Sequence, residues 1–147
     1  MDIRVVSSRR ILASARLLKP YADECSLPEI GQVNPQGEMY ERMENLGVLK
    51  FIAALEGEQV IGFISVIHCI LPHYGRNVAT VESLFVAPKY RASEAGRKLM
   101  NAAEDYARSH GCVAILYSAP AGGQLERLLN LSKTYRHSNT VFAKNLA

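Results

Sequence analysis

The segment that decides the fold spans residues 86–99 and reads VAPKYRASEAGRKL. An apolar strand ends at its start, a short loop with one proline follows, and small residues then open a helix. The first N–H groups of a helix lack partners within it and the helix dipole is positive there, so such an end can bind phosphate. Lys89, Arg91, Arg97 and Lys98 add positive charge around it. The segment is therefore a candidate phosphate-binding loop, with a plain capped helix start and solvated bases as the alternative.

The residues after this loop predict a long amphipathic helix followed by a strand. Ser93 is the predicted N-cap, Gly111 is the residue just past the helix, and Cys112–Tyr117 is a β-prone run. The apolar stripe of the helix comprises Ala95, Leu99, Ala102, Ala103, Tyr106 and Ala107. The strand before the loop is Val78–Val86, so the unit is a βαβ crossover whose two strands we expect to be parallel neighbours.

The rest of the chain predicts a hairpin and further helices. Val48–Leu55 and Gln59–Leu71 are β-prone runs joined by a Glu-Gly-Glu turn, and the second is apolar on both faces, as in a central strand. The other predicted elements are a strand at Ile3–Ser7, helices at Ile11–Ala22, Glu38–Asn45 and Gln124–Leu131, and a final strand at Asn139–Leu146. The pattern predicts an α+β fold, a mixed sheet with helices on its faces, in a single domain over residues 1–147.

The composition is that of a globular protein. The chain has 147 residues, 48% hydrophobic and 21% charged, which excludes bulk disorder. No apolar run approaches the roughly 18 residues of a membrane span, and the N-terminus lacks the apolar stretch of a signal peptide. Three widely spaced cysteines predict no disulfide framework. We therefore expect a cytoplasmic protein with no membrane contact.

The charge is distributed unevenly along the chain. The net charge is +3, but the segment 21–45 holds six acids and one base, a charge of −5, and the remainder carries +8. The total is small and no interleaved basic and aromatic pattern is present, so nucleic acid is not the expected partner.

The loop segment resembles the signature of the Gcn5-related N-acetyltransferases, which is Arg or Gln, two residues, Gly, one residue, then Gly or Ala, after a strand. Arg91 takes the first position and Gly96 the last, and the order of elements is similar to that family along nearly the whole chain. The resemblance implies a central, mixed, mostly antiparallel sheet with a β-α-β core that binds acetyl-CoA. It also implies acetyl transfer from acetyl-CoA to a primary amine by direct attack in a ternary complex, and a homodimer is common in the family.

By the same resemblance, two stretches contact acetyl-CoA: the backbone of the strand end, expected to bind the pantetheine, and the loop with the first helical turn, expected to hold the pyrophosphate. The residues so assigned are Leu84, Phe85, Val86, Arg91, Ala92, Ser93, Glu94, Ala95, Gly96 and Arg97. Glu94 and Ala92 depart from the family, which favours glycine or another small residue there. A glutamate would repel phosphate unless it turns outward. This departure supports the alternative of a catalytically weak or inactive acyl-CoA-binding or regulatory protein on the same fold.

Glu82 is the candidate general base, since members of the family often carry an acid at this point of the strand. An ammonium has no lone pair with which to attack a thioester, so a carboxylate that removes its proton is useful. Strict alternation along the strand puts Glu82 on one face with Thr80, Leu84 and Val86. A carboxylate satisfied by a neighbouring strand or loop is the alternative.

The acid that protonates the leaving thiolate departs from the family as well. Many members use a tyrosine on or just after the last helix, but Asn130 stands at that place here, and Tyr135 is not the same position. Tyr117 and Ser118, at the end of the strand after the signature helix, are the catalytic candidates for this role, with water as another.

The acidic segment 21–45 corresponds by order to the family's first two helices, which border the acceptor site. Its charge favours a cationic acceptor such as a polyamine, an amino sugar or a lysine side chain, and a solvated helix face is the alternative. We expect no metal site, because strand alternation turns His68 and Cys69 to opposite faces. His68 and His73 are alternative bases for the acceptor pocket.

Overall fold

The computed structural model describes residues 1–147 and contains one five-stranded sheet with helices on both faces. In chain order the elements are β1 (Asp2–Val6), α1 (Ser8–Leu12), α2 (Ala15–Cys25), α3 (Gly37–Asn45), β2 (Leu49–Glu56), β3 (Gln59–Leu71), β4 (Arg76–Val86), a 3₁₀ turn (Pro88–Tyr90), α4 (Ala95–Ser109), β5 (Ala114–Leu116) and α5 (Gln124–Leu131). The strands lie in the order β1-β2-β3-β4-β5; the first three pairs are antiparallel, and β4 runs parallel to β5. The predicted α+β fold with a mixed, mostly antiparallel sheet is confirmed. No helix is both long enough and apolar enough to cross a bilayer.

An apolar core lies on each face of the sheet. On one face, small residues of α4 such as Ala95 and Ala103 pack in the same cluster as Ile64 of β3, and Leu99 is fully buried there. On the other face, α1 and α2 cover a second cluster that contains Phe51. Burial of a leucine or phenylalanine side chain contributes about 1.5–3 kcal/mol to the free energy of folding, so both clusters stabilise the packing of the helices on the sheet.

The helix predicted over Ile11–Ala22 is wrong in extent, because two helices form in this region. Ser7 caps α1, and its Oγ accepts a hydrogen bond from the Arg10 N–H at 3.2 Å. Ser14 Oγ donates to the Arg10 carbonyl at 3.0 Å, while the Ser14 carbonyl accepts the first N–H bonds of α2. A serine that bonds the preceding turn competes with the helical ladder, and the helix is interrupted there.

A β-bulge interrupts the pairing of β3 with β4. Ser65 of β3 pairs with Ser83, and the next residue, Val66, pairs with Val81. Glu82 therefore has no partner opposite it and is the extra residue of the bulge. Bulges of this kind bend a strand and re-aim a side chain, and they are frequent beside active sites.

The bulge reverses the alternation of β4 beyond it. Leu84 and Val86 pack against the α4 core, whereas Phe85 belongs to the core on the opposite face. Glu82 lies on that opposite face too, where it contacts two serines and a tyrosine described below. The prediction that Thr80, Glu82, Leu84 and Val86 share one face is therefore wrong, because strict alternation does not hold across an inserted residue.

The two parallel strands separate after a short paired stretch. Residues 78–80 of β4 pair with residues 114–116 of β5, and β5 ends there, shorter than the predicted run Cys112–Tyr117. Strand β4 continues to Val86. Its edge over residues 81–86 therefore has no strand beside it, and a row of backbone groups is available to another extended molecule.

The predicted final strand at Asn139–Leu146 is wrong. These residues adopt no regular structure, and Val141, Phe142 and Leu146 are 85%, 90% and 89% exposed. The alternation of the segment suits a strand, but no strand of the sheet pairs with it. A strand without a partner leaves its backbone hydrogen bonds unmade within the chain.

Candidate active site

Glu82, at the bulge, is held by three hydrogen bonds from side chains on three different elements. Ser65 Oγ of β3 donates to Oε2 at 2.6 Å, and Ser83 Oγ of β4 donates to the same oxygen at 2.8 Å. Tyr40 of α3 donates its hydroxyl to Oε1 at 3.0 Å. The two serines are buried, while the carboxylate itself remains open to solvent. The arrangement fixes the orientation of a carboxylate that still reaches a substrate.

Donor and acceptor roles in this network are mutually consistent. Ser83 donates to Glu82, so the Tyr21 hydroxyl, 2.9 Å from Ser83 Oγ, donates to Ser83. Burial, and then the nearby charge of Glu82, raises the pKa of Tyr40 and of Tyr21 above that of a free tyrosine. Both phenols therefore stay protonated at neutral pH. Every hydroxyl of the network then points its proton toward Glu82 or toward a group that donates to it.

The Glu82 carboxylate lines a cleft of about 380 Å³ between the sheet and α3. The walls are mainly apolar and are formed by Tyr21, Met39, Tyr40, Met43 and Ile67. Residues 33–36, the loop that precedes α3, complete the lining. The cleft therefore combines one charged group with apolar walls, the composition typical of small-molecule sites.

The loop that follows β4 presents free backbone donors at the start of α4. The N–H groups of Ala92, Glu94, Gly96 and Arg97 donate to no atom of the protein. The predicted N-cap, Ser93, is wrong by one residue, because α4 begins at Ala95 and Glu94 is its N-cap. Ser93 Oγ nevertheless accepts a hydrogen bond from the Ala95 N–H at 3.2 Å. Free N–H groups at a helix N-terminus form a suitable cradle for phosphate oxygens.

Arg91, the first residue of the signature, is bound to the protein itself. Its Nε donates to the Val86 carbonyl at 2.8 Å, and its guanidinium pairs with Glu24 of α2 at 2.6 Å. The guanidinium also lies over the Phe85 ring, 5.2 Å from the centroid. Arg91 therefore ties the end of β4 and the start of the loop to α2.

Glu94 stands at the N-terminus of α4 and pairs with two bases of the first helical turn. Its carboxylate lies 2.5 Å from the Arg97 guanidinium and 3.5 Å from Lys98 Nζ. The hydrogen bond from Arg97, followed by the charges of Arg97 and Lys98, holds the pKa of Glu94 below its usual value. The acid therefore pairs with two of the four bases that surround the predicted phosphate-binding loop.

Tyr117 and Tyr135 meet over Glu104 of α4. Both phenols donate to Glu104 Oε1, Tyr117 from 3.2 Å, and the two rings contact edge to face at 5.6 Å. Burial and the Glu104 charge raise the pKa of Tyr117, and burial raises the pKa of Tyr135 to about 12. Ser118 is exposed, and its side chain makes no hydrogen bond. Tyr117 thus packs on the α4 side of the sheet, whereas Glu82 faces the other side.

Comparison with known proteins identifies the family of the chain. Residues 18–125 match the profile of the acetyltransferase (GNAT) family, a range that includes the bulge, the cleft and the loop before α4. The chain belongs to this family. No curated protein matches the sequence.

Solved structures of low sequence identity share the GNAT fold. An aminoglycoside acetyltransferase from an uncultured soil metagenomic sample, in complex with sisomicin, has a TM-score of 0.76 at 14% identity, covering 99% of this chain and 96% of its own. The ribosomal-protein-alanine N-acetyltransferase of Brucella melitensis biovar Abortus 2308 has a TM-score of 0.69 at 18% identity, covering 98% and 100%. A tetramutant protein from Bacillus halodurans has 0.79 at 16% identity, covering 99% and 100%. At these identities the likeness concerns the fold alone.

The acidic segment of this GNAT chain does not line the cleft with charge. Glu24 pairs with Arg91, Glu41 with Arg9, and Glu44 accepts from the backbone N–H of Ser8. Residues 21–45 contribute no acid to the cleft lining.

The histidines considered as alternative bases also lie elsewhere. His68 packs against Tyr106 and His110 on the α4 side. His73 contacts the Tyr74 ring edge to face. Neither lines the cleft. No group of three or more His, Cys, Asp or Glu residues is arranged to hold a metal ion.

The partners of Glu82 are the functional residues that sequence reasoning missed. Ser65 is a polar residue within an apolar run of β3, and Ser83 directly follows Glu82, signals that could have drawn attention to them. Tyr40 comes from α3, 42 residues away along the chain, and no local pattern connects it to Glu82. Glu104 and Tyr135 were missed for the same reason, being 31 residues apart.

Proposed function

We propose that this GNAT protein transfers the acetyl group of acetyl-CoA to a primary amine by direct attack, with Glu82 as the general base. The observation that carries the proposal is the position of Glu82. It lines a cleft that an acceptor can enter, and it lies in the part of β4, residues 81–86, that has no strand beside it on the β5 side. Acceptor and acetyl thioester can therefore meet beside one carboxylate.

The residues of the β4 edge and of the loop fit acetyl-CoA. The unpaired backbone over Leu84–Val86 would hold the pantetheine as an added strand does. The free N–H groups of Ala92, Glu94, Gly96 and Arg97, with the Arg97 side chain, would hold the pyrophosphate. Arg91 would act by fixing the loop, since its own donors are engaged by Val86 and Glu24. When bound, acetyl-CoA supplies the activated acetyl group.

The proposed reaction assigns one proton to Glu82. An acceptor enters as an ammonium and gives a proton to the Glu82 carboxylate, directly or through one water, which frees the nitrogen lone pair. The nitrogen bonds to the acetyl carbonyl carbon, the carbon–sulfur bond breaks, and the sulfur leaves with the bonding electron pair. The nitrogen then loses its second proton, the sulfur gains one, and the proton on Glu82 passes to solvent. The products are an acetamide and the free thiol. Tyr117 already donates to Glu104, which leaves the exposed Ser118 hydroxyl or water as the source of the proton on sulfur.

The test compares Glu82→Gln with wild type in single-turnover acetyl transfer and in calorimetric titration with acetyl-CoA. We expect the rate to fall by about 100-fold, the typical contribution of a positioned base, with cofactor affinity within about twofold. Glu56→Gln, an exposed glutamate at the end of β2, is the matched control and is expected to behave as wild type. A Glu82→Gln enzyme with unchanged rate removes Glu82 as the base.

A second candidate function is an acyl-CoA-binding or regulatory protein with little or no transfer activity. The pairing of Glu94 with Arg97 and Lys98 favours it, because an anion must displace an internal carboxylate. Titration of the wild-type chain with acetyl-CoA and with CoA, followed by an assay with excess amine, separates the two functions. Tight binding without transfer to any amine supports the second.

A further inference from the structure

We infer that the acceptor is a small monoamine whose body beyond the amine is apolar, and that a polycationic amine is a poor substrate. The inference rests on the proposed function, since it identifies the class of molecule that enters the cleft beside Glu82.

The charge of the cleft sets the first limit. Glu82 is the one charged residue in its lining; the other polar groups there are the Asn34 and Gln36 amides and the Tyr21 and Tyr40 phenols. One carboxylate offers a partner to one ammonium. A second ammonium on the same molecule would be desolvated in the cleft without an opposite charge beside it, and this raises the free energy of binding.

Nearby acids do not supply that second partner. Four of the six acids of segment 21–45 are engaged elsewhere: Asp23 pairs with Lys19, Glu24 with Arg91 and Glu41 with Arg9, and Glu44 accepts hydrogen bonds from the Ser8 backbone. The other two, Glu29 and Glu38, are exposed and do not belong to the cleft lining. The negative charge of this segment therefore does not line the cleft.

The walls of the cleft set the second limit. Met39, Tyr40 and Met43 lie on one face of α3, at the spacing of a helical stripe, and Met39 is 62% exposed. Apolar side chains presented to solvent in a concave site indicate contact with an apolar ligand. Methionine adapts its shape to alkyl and aromatic groups, so the pair suits the body of an alkylamine or arylalkylamine.

The size of the cleft agrees with a small acceptor. A volume of about 380 Å³ is near the lower end of the roughly 300–1,000 Å³ found for ligand sites. A primary amine with a chain of a few carbons fits within such a space, with the nitrogen at Glu82 and the chain along α3.

The test uses two acceptors of equal length that differ at one end, hexylamine and hexane-1,6-diamine. We expect kcat/KM for hexylamine to exceed that for the diamine by at least about tenfold, the discrimination that an apolar pocket typically achieves. The aminoglycoside sisomicin, with several ammonium groups, should be poorer still. A preference for the diamine or for sisomicin overturns the inference while leaving acetyl transfer itself established.

A variant with one added charge in the cleft makes the test specific. Asn34→Asp converts an exposed lining amide, whose side chain makes no hydrogen bond, into a carboxylate of the same shape. It should reduce the preference for hexylamine several-fold by raising activity toward the diamine. Asn101→Asp makes the same change at an exposed position of α4, away from the cleft, and should leave the preference for hexylamine as in wild type. An unchanged preference in Asn34→Asp shows that charge in the cleft does not select the acceptor.

Calorimetric titration of the protein–CoA complex with both amines covers the case in which turnover fails. Tighter binding of hexylamine without transfer supports the inference about the cleft and contradicts the proposed catalysis. Absence of binding by hexylamine overturns the inference about the cleft, and the proposed catalysis is then judged by transfer to the diamine or to sisomicin.

Discussion

Ser65→Ala tests whether the hydrogen bonds at the bulge hold Glu82 in its working position. Ser65 is fully buried on β3, and its Oγ donates to Glu82 Oε2 from 2.6 Å. The substitution removes this donor and leaves the other two in place, those of Ser83 and Tyr40. It therefore changes the orientation of the carboxylate without removing it.

The expected loss of stability depends on the fact that Ser65 is buried whereas Glu82 is exposed. A hydrogen bond to a charged group contributes about 1.5–3 kcal/mol, but the exposed Glu82 can take a water in place of the serine, so we expect a loss of about 1 kcal/mol in the free energy of unfolding. For a domain of this size that loss lowers Tm by about 3 °C. The rate of transfer should fall by about tenfold, because a base displaced from its working geometry loses much of its effect, while KM for acetyl-CoA stays unchanged.

The assay combines thermal unfolding with steady-state kinetics on hexylamine. Ser8→Ala is the control, since Ser8 is also buried but lies away from Glu82 at the start of α1. The reasoning is refuted by a Ser65→Ala enzyme with wild-type kcat. It is refuted too by one whose rate falls no further than that of Ser8→Ala at equal loss of stability.

Three further predictions concern the loop before α4 and the tyrosine pair. Glu94→Gln should tighten acetyl-CoA binding in calorimetry, since it frees Arg97 and Lys98, and the gain should shrink as salt is raised; equal affinity at low salt contradicts it. Arg91→Glu should weaken acetyl-CoA binding, and adding Glu24→Arg should restore part of it if Arg91 acts through the pairing with α2; no recovery points to direct contact with phosphate. Burial raises the pKa of Tyr135 to about 12, so this phenol stays protonated in the folded chain while it ionises in the unfolded one above about pH 10. The contribution of Tyr135 to the free energy of unfolding is thus complete below about pH 10 and is lost as the pH rises toward 12. In urea unfolding, Tyr135→Phe should therefore lose less stability across this pH range than wild type. An equal loss in both proteins contradicts the assignment.

Elements with a strong local pattern could be predicted from the sequence, and those that depend on partners could not. The apolar stripe and small residues of α4 predict both the helix and its close approach to the sheet, and the hairpin of β2 and β3 follows from its turn and β-prone runs. The prediction of a final strand is wrong because a strand needs a neighbouring strand to pair with. The alternation in residues 139–146 does not show whether such a neighbour is within reach. The break near Ser14 is not predicted, because a hydroxyl that donates to the preceding turn does not change the helical spacing of the apolar residues.

The candidate site divides in the same way. Glu82 could be singled out because a glutamate in an apolar strand is unusual, and the loop because its glycine and bases follow a β-strand. The orientation of Glu82 could not be predicted, since it depends on Ser65 and Tyr40, which lie 17 and 42 residues away along the chain. The pairing of Arg91 with Glu24, 67 residues apart, was likewise not predictable; it directs the side chain of the signature arginine toward α2.

The bulge explains how one strand serves both the fold and the chemistry. Ala79 and Val81, before the bulge, pack in the apolar core under α4. Regular alternation from them would turn Glu82, Leu84 and Val86 together to the opposite face, where the cleft opens. Because of the extra residue, Glu82 stays on that face, where two serines and Tyr40 donate to it. Leu84 and Val86 return to the α4 core, and Phe85 packs in the core on the other face. Restoring regular pairing at this point would therefore take Leu84 and Val86 out of the α4 core, so the bulge lets the strand present a carboxylate to the cleft while its end stays anchored by apolar contacts.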